Sequence, residues 1–266
     1  MKKLLCSILF FVFIACNNNE PKPGNNPEAP KSISYSIVNT YPHDTSSFTE
    51  GLLIYKGELY ESAGDPDYVG KSKLMKVDLK TGRSLQSINL DKKYFGEGIA
   101  ILNDTIYQWT YREKVGFIYS LKEFRKLGEF KFNTKSGEGW GLTTDGKQII
   151  GTDGTSQLYY YEPSTFRLLK TQDITEGGNL SYNLNEPEYI NGYIYANQWQ
   201  APYVLKINPV NGAIVAKADL TSMWERIKAI DPKADVPNGI AYDSSTKKIY
   251  ITGKWWPELY EIQFGE

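Results

Sequence analysis

The run Phe95-Gly96-Glu97-Gly98 decides the fold, because relatives of it recur along the chain. They are Phe48-Thr49-Glu50-Gly51, Gly137-Glu138-Gly139-Trp140-Gly141, Asn185-Glu186-Pro187-Glu188 and Pro237-Asn238-Gly239. Each opens a short apolar segment that meets a turn and is followed by a second segment rich in β-branched and aromatic residues, which is the pattern of a β-hairpin. Aligned on Gly51, Gly98, Gly141, Glu188 and Gly239, the repeats stand 47, 43, 47 and 51 residues apart. A four-stranded propeller blade takes roughly 40 to 50 residues, so the spacing predicts an all-β, five-bladed β-propeller.

Blade one covers residues 51–90, with turns at Lys56-Gly57 and Thr81-Gly82. Blades two, three and four cover 98–132, 141–174 and 188–220, the last with its outer turn at Pro209-Val210-Asn211-Gly212. Blade five starts at Gly239 and has only three strands. Residues 33–40 begin with strict alternation and lie just before blade one. Pairing them as the outer strand of blade five closes the ring with an N-terminal strand and covers an edge open to aggregation.

This architecture makes a claim about sites. Residues just before each innermost strand, and residues at the end of the next strand, should gather at one end of the ring near its axis. The first set is Glu50, Glu97, Trp140, Asn185 and Asn238, and the second is Tyr111, Asp153, Trp199 and Lys254. A pocket of carboxylates, amides, one lysine and aromatic walls suits a small polar ligand better than a flat protein surface. Taken singly, each residue has a plain structural reading. Glu97 could cap a strand or pair with Lys254, the tryptophans could serve packing, and Lys254 could reach out to water.

Composition narrows the function classes. Lys and Arg number 30 against 31 Asp and Glu, a balance that gives no electrostatic case for nucleic acid. His43 is the sole histidine, which argues against a Ser-His-Asp triad or a histidine-rich zinc site. Carboxylates alone could hold a metal, but no continuous loop of spaced ligands is present.

At the N-terminus, Met1-Lys2-Lys3 is a basic start and residues 4–14 an apolar stretch too short for a stable span, so residues 1–15 read as a secretory signal. The ending Phe13-Ile14-Ala15-Cys16 resembles a bacterial lipobox, with Phe13 a loose match at the usual leucine position. It implies lipidation of Cys16 and a bacterial cell-envelope location, periplasmic or surface-exposed. The competing reading is an ordinary signal peptide with a coincidental cysteine. Cys6 leaves with the signal, so Cys16 is the one mature cysteine and an intramolecular disulfide is excluded. Residues 16–31, rich in proline and asparagine, read as a polar tether, and residues 32–266 as the folded domain.

From residue 41 to 264 the chain resembles the plant and bacterial type of glutaminyl cyclase, also called glutamine cyclotransferase, a five-bladed propeller family. The matching runs include Tyr41-Pro42-His43-Asp44, Phe48-Thr49-Glu50-Gly51-Leu52, Phe95-Gly96-Glu97-Gly98 and Gly137-Glu138-Gly139-Trp140-Gly141-Leu142-Thr143. Further matches are Leu184-Asn185-Glu186-Pro187-Glu188-Tyr189, Tyr195-Ala196-Asn197-Gln198-Trp199-Gln200, Asn238-Gly239-Ile240-Ala241-Tyr242-Asp243 and Thr252-Gly253-Lys254. The resemblance implies conversion of an N-terminal glutamine, free or on a peptide, into pyroglutamate with loss of ammonia. It implies Glu97, Lys254 and Asn185 as catalytic residues. The expected substrate-binding set is Phe48, Glu50, Phe95, Tyr111, Trp140 and Trp199. No metal or organic cofactor is implied, the protein is expected to be a monomer, and the lipid anchor is its only membrane contact. Glu50 stands where a glutamine is common in the family, and Tyr111 where a tryptophan is common. Two other classes stay open: a metal-dependent propeller hydrolase with Glu50, Glu97, Asn185 and Asn238 as ligands, and a non-catalytic propeller that binds peptide termini.

Overall fold

The computed structural model describes residues 28–265. The expected signal, the lipidation site Cys16 and the tether through residue 27 lie outside the described residues. Five antiparallel four-stranded meanders stand around one axis. Their innermost strands are Phe48–Tyr55, Gly96–Leu102, Leu142–Thr144, Leu184–Ile190 and Pro237–Asp243, and each packs on the next until the fifth meets the first. That closed circuit makes the repeat a ring. The core is correspondingly divided into five clusters, one between each pair of adjacent blades, such as Leu53, Tyr60, Ile99 and Ile106 between blades one and two.

Local chemistry explains why the repeats fold alike. Lys56-Gly57 and Asn191-Gly192 both take positive φ at the two central positions of their hairpins, which is the type I′ geometry that matches strand twist. The recurring glycine answers a different need. A Cβ on Gly98 would stand 2.4 Å from the Leu142 nitrogen, so only glycine lets the inner strands of blades two and three press together at the axis.

The N-terminal strand closes blade five as expected, although it runs Tyr35–Pro42 rather than 33–40 and pairs antiparallel with Glu258–Phe264. The preceding Lys31–Ile33 pairs in parallel with Ile214–Asp219, the outer strand of blade four. One short segment therefore clasps two blades. The register is fastened by Glu261, whose carboxylate accepts hydrogen bonds from Asn39 and the Tyr41 hydroxyl, both at 2.9 Å. A second feature escaped the sequence reading. Helix Thr221–Ile230 follows blade four and drives Met223 and Ile227 into the core between blades four and five.

Truncation to start at His43 is expected to lower the midpoint of thermal unfolding by roughly 10 °C or more, given about 2–4 °C per kcal/mol in a domain of this size. Removal of residues 17–27 is expected to leave it unchanged. Equal midpoints for the two truncated proteins would show that the clasp does not stabilise the ring.

Candidate active site

The site grows from a repeated backbone irregularity. At the start of the inner strands of blades one, two, four and five the pairing register slips by one residue, between Thr49 and Gly51, Gly96 and Ile99, Leu184 and Pro187, and Pro237 and Ile240. An extra residue in one strand is a β-bulge, which bends the strand and re-aims a side chain. The residues so displaced include Glu50, Glu97, Asn185 and Asn238. In blade three, Trp140 and Gly141 both bond Thr152 through the backbone, and Trp140 occupies the equivalent place.

These bulges open onto a cavity of about 370 Å³ lined by Phe48, Glu50, Phe95, Glu97, Tyr111, Glu138, Trp140, Asn185, Trp199, Asp235 and Lys254. All nine expected catalytic and substrate-binding residues are in that lining. Two further positions that the repeat nominated are not. Asn238 is fully buried beneath the cavity, where its amide donates to the Thr49 carbonyl at 2.9 Å and to Glu50 Oε2 at 3.2 Å. Asp153 accepts bonds from the Thr155 nitrogen in its own loop, from the Ser136 nitrogen and from the Tyr159 hydroxyl. Both are supports rather than walls.

Glu138 and Asp235 were missed. Glu138 lies two residues before Trp140, as Phe95 does before Glu97 and Phe48 before Glu50, so the repeat itself carried the signal. Asp235 sits outside the recurring run, next to Lys254 in space, where its backbone nitrogen bonds the Lys254 carbonyl at 2.9 Å. No repeat position points to it.

The electrostatics single out Glu97. The residue is 5% exposed, lines the cavity and has no side-chain hydrogen-bond partner among the described residues. Burial, followed by the neighbouring charge of Glu50, holds its carboxyl well above the ordinary carboxylate range. Glu50 is also buried, and burial pushes it up to about 7 against the opposing pull of Lys254. Lys254 Nζ donates to Glu50 Oε1 at 2.7 Å and lies 4.4 Å above the Phe48 ring. Glu50 thus has an ammonium and an amide on its carboxylate, and Glu97 has neither. An ammonium has three donors, and Glu50 takes only one of Lys254's, so the others remain for a ligand.

The aromatic wall is braced from outside. The Trp140 indole donates to Glu138 Oε2 at 3.0 Å and meets Trp199 edge to face at 5.5 Å. Arg112 donates to Glu138 Oε1 at 3.0 Å and to the Tyr111 hydroxyl at 2.9 Å, joining blades two and three across the rim. Opposite, Phe48 and Phe95 meet edge to face at 6.0 Å. Among the described residues, no group of three or more His, Cys, Asp or Glu side chains is arranged to hold a metal ion.

A family model described as glutamine cyclotransferase matches residues 7–264. The glutaminyl-peptide cyclotransferase of Arabidopsis thaliana is 37% identical over 267 residues, which cover 99% of this chain and 82% of that protein. The crystal structure of Myxococcus xanthus glutaminyl cyclase superposes with a TM-score of 0.81 at 30% identity, covering 88% of this chain and 98% of that one.

Proposed function

The chain belongs to the glutamine cyclotransferase family, and on that premise we infer that it cyclises an N-terminal glutamine to pyroglutamate, releasing ammonia, with Glu97 carrying the protons. The observation that carries this reading is the buried Glu97 carboxyl, without a hydrogen-bond partner among the described residues, on a pocket that holds four carboxylates and one lysine. Such a pocket attracts the substrate's α-ammonium.

The chemistry starts with the amine's proton. An α-ammonium loses its proton at a pH of roughly 7.7 to 8.0, and burial raises Glu97 well above the ordinary carboxylate value, so Glu97 is a stronger base toward that proton than an exposed carboxylate would be. The free amine attacks the side-chain amide carbon, a C–N bond forms, and the amide oxygen becomes negative. Lys254 and Asn185 stabilise that oxygen. Asn185 lines the cavity, where its amide Nδ2 can serve as the donor; its Oδ1 is buried without a hydrogen-bond partner among the described residues. Glu97 protonates the departing nitrogen and takes a proton from the attacking one. The C–NH₂ bond breaks, ammonia leaves, and Glu97 ends protonated, as it was when the free amine attacked. Trp140, Trp199 and Phe95 exclude water and hold the side chain folded back on its own amine. Release of ammonia from a glutaminyl dipeptide tests the reading directly; a folded protein that releases none is not a cyclotransferase.

One proton on the Glu97–amine pair makes the rate bell-shaped in pH, the acid limb reporting the lower of the two ionisations. Glu50→Gln removes the neighbouring negative charge, so Glu97 ionises at lower pH. The acid limb of kcat/KM is expected to move down. A limb that stays put, or moves up, would show that Glu50 does not act on Glu97.

The N-terminal sequence supports a further part of the proposal, that Cys16 is lipidated and tethers a periplasm-facing or surface-exposed domain to a bacterial membrane. Metabolic labelling with a fatty acid should mark the unaltered protein and not Cys16→Ser. An unlabelled wild-type protein removes the anchor.

A further inference from the structure

Around the pocket mouth, the loop between the second and third strands of every blade contains a left-handed residue, and the loop of blade one adds a second at Gly70. The five are Tyr68, Lys114, Gly154, Gln200 and Trp255, with φ of 51°, 55°, 76°, 61° and 60°. For a bulky aromatic residue that conformation is rare, and two of the five loops hold one. Both aromatics extend the pocket wall. The Trp255 ring lies 4.6 Å from Phe48, and the Tyr68 ring 5.9 Å from Phe95.

Tyr68 is the less easily explained. Its loop is firmly built: Asp65, only 3% exposed, accepts hydrogen bonds from the Gly70 and Lys71 nitrogens at 2.7 and 2.9 Å, and the Tyr68 nitrogen bonds the Asp65 carbonyl at 3.0 Å. Yet Tyr68 remains 40% exposed and its neighbour Val69 60% exposed. A fixed loop thus holds an aromatic ring in a disfavoured backbone conformation with much of it in water. Core packing does not call for that.

Continuity with the pocket says what covers the ring. A peptide whose first residue is buried against Glu97 must carry its second residue out over the rim. On the Trp140 side the rim is the polar Arg112–Glu138 pair. On the Phe95 side it is the Tyr68 ring. Resting on the reading of the pocket as the glutamine site, we propose that Tyr68 forms a subsite for the side chain of the residue following the N-terminal glutamine, selecting aromatic and large apolar side chains there.

The test compares kcat/KM for ammonia release from Gln-Phe amide and Gln-Gly amide, using the full chain, Tyr68→Phe and Tyr68→Asn. Phenylalanine keeps the ring, whereas asparagine removes it and tolerates left-handed backbone. The unaltered protein and Tyr68→Phe should prefer Gln-Phe amide by roughly three- to tenfold, the scale of one aromatic pair. In Tyr68→Asn the ratio should fall to near one. An unaltered protein without preference, or a ratio that survives in Tyr68→Asn, overturns the subsite while leaving cyclisation standing. Absence of ammonia from both substrates in the unaltered protein overturns the pocket reading and the subsite together.

Discussion

Glu97→Gln is expected to lose at least about 10²-fold in turnover and up to about 10⁴-fold for each proton-transfer role, with the domain still folded. Glutamine preserves the size of the side chain and much of its hydrogen-bonding shape, but it cannot give or take a proton near neutral pH. Both the attack of the amine and the departure of ammonia need that exchange. Substrate affinity should change far less, since Trp140, Trp199, Asn185 and Lys254 still line the cavity. Stability should not fall, because Glu97 has no hydrogen-bond partner among the described residues to lose, and replacing a buried ionisable group by a neutral one lowers the cost of burial. A purely structural glutamate would show the reverse, with lower stability and near-normal turnover. Ammonia release and thermal unfolding measured on one preparation decide between them, and wild-type turnover in the variant would take Glu97 out of the mechanism.

Lys254→Met is expected to be the second large loss, and it separates two effects that a single variant confounds. Removing the ammonium takes away an oxyanion donor, typically worth about 10²- to 10³-fold in kcat. It also leaves Glu50 buried without its cation, and breaking a buried pair costs about 3–5 kcal/mol. Adding Glu50→Gln removes the orphaned charge. The double variant should therefore recover most of the lost stability and little of the lost turnover. Recovery of turnover along with stability would mean that Lys254 serves the fold alone. Near-normal kcat in Lys254→Met would remove it from the chemistry.

Much of this was legible in the sequence because it is local and repeated. Hairpin turns such as Lys56-Gly57 and the glycines that let inner strands touch are decided by backbone chemistry within a few residues. Their spacing gives the blade count. Since each repeat projects the same positions to the same end of the ring, Glu50, Glu97, Trp140 and Asn185 could be assigned to one pocket before any contact was known.

What the sequence alone could not decide is which equivalent positions face the cavity and which hold it up. Asn238 and Asp153 occupy the same repeat positions as Glu97 and Lys254, yet one lies under Glu50 and the other bonds its own loop and the Tyr159 hydroxyl. Glu138 and Asp235 join the lining, and Lys254 meets Glu50 from 204 positions away. The strand over residues 31–42 divides between two blades, and the helix at Thr221–Ile230 fills a gap that exists only once those blades stand side by side. The repeat fixes where each backbone segment stands. Side-chain direction and ionisation depend on which neighbour from another blade offers a partner or excludes water, and those neighbours meet only when the ring has closed.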